Sequence, residues 1–267
     1  MTETLPDLRA LALAVEPHAR AAGRAILEVY DSGDFRAEAK ADASPLTEAD
    51  RRSERVLQAG FAALDTGYLV VSEESRQLPY AERAPHETAW LVDPLDGTKE
   101  FLKRNGEFCV CVALCHRGAP VLGVVHRPVG GRSYLAWRGG DGVYVVDADG
   151  AAPAPLPRRE PIDLQARSLK FCVSRSHLSP ATEAYLADFD EPLPVAMGSA
   201  LKFCGIAEGH IDVYPRLAPT MEWDTAAGQA IVEAVGGSVR VYPGDEPMRY
   251  NKEELVNPHF VATAPTR

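Results

Sequence analysis

Four apolar segments follow one another between residues 108 and 147: FCVCVALC, PVLGVVHRP, SYLAWRG and GVYVVD, with glycine-bearing turns between them. Short β-branched runs broken by such turns pair antiparallel with their neighbours. A sheet of that kind has to bury at least one face, and the sequence on either side supplies helices to cover it. Leu8, Leu11, Ala12, Val15, Ala22, Ile26 and Val29 recur at helical spacing within Leu5 to Tyr30. Pro17 is expected to kink or divide that helix. A second helix is expected to start near Thr47 and to run through EADRRSERVLQAGFAAL, with Val56, Leu57, Phe61 and Leu64 as its apolar stripe. YLVV and AWLV read as short strands between this helix and the four segments.

The stretch from Asp147 to Gln165 is rich in Pro, Ala and Arg and reads as a surface linker or an edge excursion. Beyond it, SLKFCVSRSH reads as a strand ending in a polar loop. SPATEAYLADF, SALKFCGIAEG and TAAGQAIVEAVGG read as helices, the last with Gly236 placed for its C-terminus. SVRVYP and HFVATA are the final strands. Helices alternating with sheets predict a layered α+β architecture. An N-terminal α+β part (1–165) and a C-terminal α/β part (166–267) are expected to act as one catalytic unit.

The chain has 267 residues, 46% hydrophobic and 25% charged, enough to bury a large core without disulfides or structural metals. Its formal net charge of −10 disfavours nucleic-acid polymers and anionic membranes as partners. A small phosphorylated ligand stays compatible with it, since bound cations reverse the local charge. MTETLPDLRALALAVEPHAR lacks the basic start and apolar centre of a signal peptide. No apolar run approaches the ~20 residues of a membrane helix, so a cytoplasmic location is expected. Of five cysteines, Cys109, Cys111 and Cys115 share one strand face with Ala113. They read as small buried apolar side chains, because a fourth ligand at a usual zinc spacing is missing. Cys172 and Cys204 read the same way.

Acidic residues gather at the ends of the predicted elements. WLVDPLDGTKEF puts Asp93 and Asp96 just after an apolar run, with Pro94 and Gly97 to turn the chain. An Asp-rich turn and a site in which both carboxylates hold cations fit this motif equally well. The N–H groups opening TKEFLKR would then face an anion. VVSEES brings Glu73 and Glu74 to a neighbouring strand end. Asp224 in EWDTAAGQA also reads as a helix N-cap. Asp50, three residues after Thr47, also fits a capping box. Taken together these acids suggest hard-oxygen ligation of Mg²⁺ or Mn²⁺.

SEES, WLVDPLDGTKEF and WDTAAG resemble the signature motifs of the lithium-sensitive, Mg²⁺-dependent phosphatases of the inositol monophosphatase superfamily. DGTKEFLKRNGEF, SRSH, GSALKFC and VYPR look most like its 3′(2′),5′-bisphosphate nucleotidases. The resemblance covers residues from about Pro45 to Asn257. It implies an α-β-α-β-α sandwich of the sugar-phosphatase type. It also implies hydrolysis of adenosine 3′,5′-bisphosphate to AMP and phosphate in sulfur assimilation and nucleotide recycling, with the 5′-phosphosulfate as a second substrate.

By the same resemblance, Glu73 ligates one metal, Asp93 bridges two, the Leu95 carbonyl completes the first, and Asp96 and Asp224 hold the second. Asp50 and Thr98, with Glu73, form the catalytic set, and Thr98 with Asp50 orients or deprotonates the attacking water. Gly97, Thr98 and Lys99 meet the phosphate. His177, Ser199, Lys202, Arg216 and Asp224 meet the nucleotide. Two or three Mg²⁺ ions, replaceable by Mn²⁺, and inhibition by Li⁺ are implied. So is a monomer or homodimer, in the cytoplasm or peripheral at the inner membrane.

Taken alone, Lys202 reads as a solvated helix charge and Arg216 as an exposed strand-edge charge. Ala200 departs from the GSSLKFC common in the subfamily, which puts one nucleotide contact in doubt. Lys99 and Glu100 depart from the DGTTNF common in inositol monophosphatases. An inositol monophosphatase or fructose-1,6-bisphosphatase of the same superfamily is the nearest alternative. A non-catalytic metal- or nucleotide-binding protein is the alternative from another class.

Overall fold

A computed structural model describes residues 5–39, 45–173 and 179–267. Two helices open the described chain, α1 (Leu8–Ser32) and α2 (Glu48–Leu64), with a two-stranded ribbon of β1 (Glu38–Ala39) and β2 (Pro45–Leu46) between them. Pro17 lies inside α1 without dividing it. Thr47 and Asp50 form the expected capping box of α2.

Seven strands then form one sheet in the order β3-β4-β5-β6-β7-β8-β9. They are β3 (Leu69–Ser72), β4 (Thr88–Asp96), β5 (Cys109–His116), β6 (Ala119–Arg127), β7 (Arg132–Trp137), β8 (Tyr144–Val146) and β9 (Ala154–Pro155). β3 and β4 run parallel and the remaining neighbours antiparallel. The one-turn α3 (Tyr80–Arg83) joins β3 to β4, and α4 (Thr98–Leu102) follows β4 directly. β9 sits within the Pro-rich stretch, so that stretch is an edge excursion of this sheet.

A second sheet has the order β11-β10-β12-β14-β13. Its strands are β10 (Lys170–Val173), β11 (Leu193–Ala196), β12 (Val213–Arg216), β13 (Ser238–Val241) and β14 (Phe260–Thr263). The helices of this part are α5 (Pro180–Leu186), α6 (Leu201–Ala207) and α7 (Ala226–Ala234), the last preceded by a 3-10 turn at Glu222–Asp224.

Strand periodicity sorts the core into layers. Trp90, Val92, Val110, Val112 and Leu114 face α1 and α2, while Leu91, Cys109, Cys111, Ala113 and Cys115 face the opposite side. On that side they meet Phe203 and Ile206 of α6 and Ala227 and Ile231 of α7. Gly123 of β6 lets α7 lie close: a Cβ there would stand 2.5 Å from the Ala227 carbonyl oxygen. The same helices bury Tyr214, Val239, Phe260 and Ala262 of the second sheet. Phe171, Val213 and Val261 cover the far face of that sheet with Tyr185 and Leu186 of α5. The order is helix, sheet, helix, sheet, helix, the layered α+β sandwich expected from the sequence.

Candidate functional site

A β-bulge builds the site. In a regular strand, Asp93 and Asp96, three residues apart, would point to opposite faces. Here Asp93 pairs with Cys111 but Asp96 pairs with Cys109, so β4 spends one extra residue between them. The insertion turns both aspartates to the face shared by Cys109 and Cys111. Leu95 drops to the other side, into the core under α1 and α2. Two hydrogen bonds fix the turn: the Leu95 N–H donates to Asp93 Oδ1 at 2.9 Å, and Ser53 Oγ of α2 donates to the Pro94 carbonyl at 2.6 Å. Gly97 follows at φ +94°, where a Cβ would stand 3.0 Å from the Glu107 carbonyl oxygen. Conformation and space both demand glycine there.

β3 ends beside β4, and the Glu73 N–H donates to the Val92 carbonyl at 3.1 Å. That puts Glu73 next to Asp93. The 3-10 turn before α7 brings Asp224 from the other half of the chain. One carboxylate oxygen each from Glu73, Asp93 and Asp224 lies within 4.8 Å of the others. Burial, then the charges of Glu73, Asp96 and Asp224, push the Asp93 pKa well above the carboxylate range. Asp224 is pushed up by burial and by Asp96. Asp96 is pushed up to about 6 by burial, which outweighs the opposing effects of Lys202 and the Ala200 N–H. Three carboxylates gathered so tightly, with Asp96 near enough to raise two of them, need compensating positive charge to ionise together. An all-oxygen donor set of this kind fits hard divalent cations.

Across the turn, Thr98 Oγ1 stands 3.3 Å from Asp50 Oδ1 and 3.3 Å from the Leu95 carbonyl oxygen. A single hydroxyl proton serves only one of two acceptors at a time. Asp50 also accepts the Thr47 N–H at 2.7 Å and the Thr47 hydroxyl at 2.6 Å through Oδ2. Capping and the approach to Thr98 are therefore compatible roles. Asp224 is not the N-cap of α7, a position taken by Thr225; its carboxylate accepts the Met221 N–H inside the 3-10 turn.

Beside the carboxylates opens a cleft of about 460 Å³, lined by Asp96, Gly97, Lys99, Ser199, Lys202 and Arg216 among others. Lys202 Nζ donates to the Ser199 carbonyl at 3.1 Å and lies 5.4 Å from the centre of the Tyr214 ring. Burial works against its ammonium, but Tyr214, Cys172 and Asp96 more than offset this and raise its pKa. Arg216 donates to the Pro219 carbonyl at 2.9 Å, while its buried Nε has no partner among the described residues. Neither residue is the plain surface charge that the sequence alone suggests. Ala200 offers the cleft no hydroxyl, but its backbone N–H donates to Asp96 Oδ2. His177 lies outside the described residues.

Sequence reasoning missed Ser53, Lys103 and Tyr214. Lys103 adds a cation to the cleft wall at the end of α4. Ser53 carried a signal, since it follows Asp50 by three positions and so shares its helix face. Tyr214 looks like an ordinary strand aromatic until α6 lays Lys202 over it.

The model of the inositol monophosphatase family matches residues 7–264. The chain is 42% identical over 247 residues to the 3′(2′),5′-bisphosphate nucleotidase CysQ of Escherichia coli strain K12, covering 91% of this chain and 95% of that one. Among solved structures, CysQ from Bacteroides thetaiotaomicron superposes with a TM-score of 0.85 at 41% identity, over 98% of this chain and 99% of the other. A lithium-soaked inhibitory complex of staphylococcal inositol monophosphatase-1 superposes with a TM-score of 0.78 over 97% and 92%. At 17% identity that likeness speaks to the fold alone.

Proposed function

The chain belongs to the inositol monophosphatase family, and from that premise we propose that it is a metal-dependent 3′(2′),5′-bisphosphate nucleotidase. It hydrolyses the 3′-phosphate of adenosine 3′,5′-bisphosphate to give AMP and phosphate, serving sulfate assimilation, and it accepts the 5′-phosphosulfate analogue as a second substrate. One observation carries the reading: a cleft holding Lys202 and the unpartnered Nε of Arg216 opens directly beside the carboxylate cluster. A monophosphatase has no use for that pair. A substrate with a second phosphate does.

Glu73, Asp93, Asp96, Asp224 and the Leu95 carbonyl would hold two or three Mg²⁺ ions, with Mn²⁺ as a substitute and Li⁺ as an inhibitor. When bound, such ions neutralise charge on the transferring phosphoryl group and polarise it for attack. Thr98, caught between Asp50 and Leu95, orients the attacking water, and Asp50 is placed to draw its proton. The new P–O bond forms from that water as the bond to the 3′-oxygen breaks, and the leaving oxygen takes up a proton. Gly97 leaves the backbone open where a side chain would block the phosphate, and Lys99 adds charge at the rim. Lys202 and Arg216 take the 5′-phosphate, Ser199 shapes the wall between them and the turn, and His177 adds a nucleotide contact.

The parts 1–165 and 166–267 act as one catalytic unit, because His177, Ser199, Lys202, Arg216 and Asp224 come from the second and the remaining groups from the first. Each subunit of a monomeric or homodimeric enzyme then holds a complete set. No helix among the described residues is long and apolar enough to cross a membrane. The described cysteines are all unpaired thiols, which supports a reducing, cytoplasmic setting.

The test is phosphate release from adenosine 3′,5′-bisphosphate, inositol 1-phosphate and fructose 1,6-bisphosphate, each with Mg²⁺ and with chelator. Preference for the nucleotide and loss of activity with chelator are expected. Preference for either other ester would move the chain to a neighbouring activity of the family. No release at all would favour a non-catalytic binding protein.

A further inference from the structure

Opposite the two aspartates of the bulge lie Cys109 and Cys111, which no step above uses. We propose that Cys109, Cys111 and Asp96 form a binding site for a thiophilic divalent cation such as Zn²⁺ or Cd²⁺, and that filling it switches the phosphatase off. The switching half rests on the reading of Asp96 as a ligand for the activating cations. The binding half does not.

The two Sγ atoms are 3.7 Å apart, and Asp96 Oδ2 is 3.9 Å from Cys109 Sγ. One ligand atom from each of the three residues lies within 4.8 Å of the others. A tetrahedral zinc with bonds of ~2.3 Å to two sulfurs separates them by about 3.8 Å, and with an oxygen at ~2.0–2.2 Å the sulfur–oxygen edge is about 3.6 Å. Two edges of that tetrahedron are therefore already close to length, and the third, from Cys111 to Asp96, is within 4.8 Å. Strand period puts the two cysteines on one face, and the bulge turns Asp96 toward them.

Cys115 shares the face, but it pairs with Ala89 of β4, as Ala113 pairs with Leu91, and so lies away from the two aspartates of the bulge. Asp96 and Ser199 line the cleft, and the Cys109 thiol lies 3.4 Å from Ser199 Oγ. The thiol pair thus sits one side chain below the cleft floor. A cation of high sulfur affinity displaces the two thiol protons, and hard Mg²⁺ does not. Binding breaks two S–H bonds, forms two metal–sulfur bonds and releases two protons to the buffer, with no change of oxidation state. Asp96 gives one oxygen, and the fourth position stays open for solvent. An Asp96 engaged in this way is withdrawn from the oxygen ligand set.

The full chain, treated with chelator and freed of it, is titrated with Cd²⁺ alone while thiolate-to-metal charge-transfer absorption is followed. A band saturating at a single Cd²⁺ per chain is expected. It should vanish in Cys111→Ala and in Cys109→Ser and persist in Cys115→Ser. In Mg²⁺-driven phosphate release, Zn²⁺ should inhibit the unaltered protein and Cys115→Ser at roughly tenfold or more lower concentration than Cys111→Ala. Absence of the band in the unaltered protein overturns the site, and that reading needs no variant to fold. A band together with unchanged Zn²⁺ inhibition in Cys111→Ala overturns the switch. A chain that releases no phosphate from any ester with Mg²⁺ fails the functional reading, while the Cd²⁺ spectrum still decides the site.

Discussion

Asp50 Oδ1 stands 3.3 Å from Thr98 Oγ1 although 48 positions separate the two residues, and the other Asp50 oxygen closes the capping box of α2. Thr98→Ala removes the hydroxyl, with one methyl group, from a half-buried position, so kcat should fall by about 10²–10⁴ with the melting temperature nearly unchanged. Asp50→Ala should cost a similar factor in rate and, in addition, about 0.5–2 kcal/mol of stability from the lost cap. Turnover assays paired with thermal melts separate the two. An Asp50→Ala protein with normal kcat and a lowered melting temperature would leave Asp50 a cap and nothing more.

Asp93→Asn should move activity and stability in opposite directions. The amide keeps an oxygen for the Leu95 N–H but removes a buried charge set against Glu73, Asp96 and Asp224. Turnover should drop by orders of magnitude. In chelator at pH 8 the variant should melt no lower than the unaltered protein. A strongly destabilised variant under those conditions would mean that the carboxylates do not repel one another as the geometry implies.

Metal and pH should act together on stability. Asp93, Asp96 and Asp224 have pKa values raised by folding, Asp96 to about 6 and the others well above the carboxylate range. A raised folded-state value means that the folded chain holds these protons more tightly than the unfolded one. The resulting stabilisation is complete below the unfolded pKa of about 4 and is lost as pH climbs through the folded values. Mg²⁺ competes with those same protons. The rise in melting temperature on adding Mg²⁺ should therefore be small at pH 5 and large at pH 8, at about 2–4 °C per kcal/mol for a chain near this size. Melting scans at both pH values decide it, and equal shifts would refute a cation site among these carboxylates.

Lys202→Ala and Arg216→Ala address substrate choice. A charge-assisted hydrogen bond to phosphate is worth ~1.5–3 kcal/mol, so kcat/KM for adenosine 3′,5′-bisphosphate should fall about tenfold to a hundredfold. A phosphomonoester without a second anionic group should be affected far less. Equal losses on both substrates would place these side chains in support of the fold or the metal ligands instead.

The layers were legible because the strand and helix periods are strong, and the acids were legible because each sits at an element end. What two-residue periodicity cannot foretell is the bulge: the strand rule applied to Asp93 and Asp96 sets them on opposite faces, and only pairing with Cys109 and Cys111 reveals the extra residue. Asp50 showed both of its roles, but as competitors, because a sequence does not say that a carboxylate has two oxygens pointing different ways. β11 escaped notice because LPVA is short, contains Pro194 and is mostly exposed. The Pro-rich stretch hid Arg159, whose guanidinium enters a nearly buried ion pair with Asp212 and donates to the carbonyls of Ile206 and Ile211. No local pattern marks an arginine whose partners lie some fifty residues away.

The strand order of the second sheet has a consequence for biosynthesis. β14 is inserted between β12 and β13, which do not pair with each other. A nascent chain that has emerged only as far as β13 already contains every carboxylate of the cluster, yet Arg216 sits on a strand whose outer edge is still bare. Asp224, the last of those carboxylates in the chain, also waits for later residues, because the Glu222 N–H of its turn donates to the Leu255 carbonyl at 2.9 Å. The strand that carries Arg216 gains its second neighbour only when Phe260 to Thr263 slot into the gap, so both ends of the proposed site wait on residues synthesised after β13.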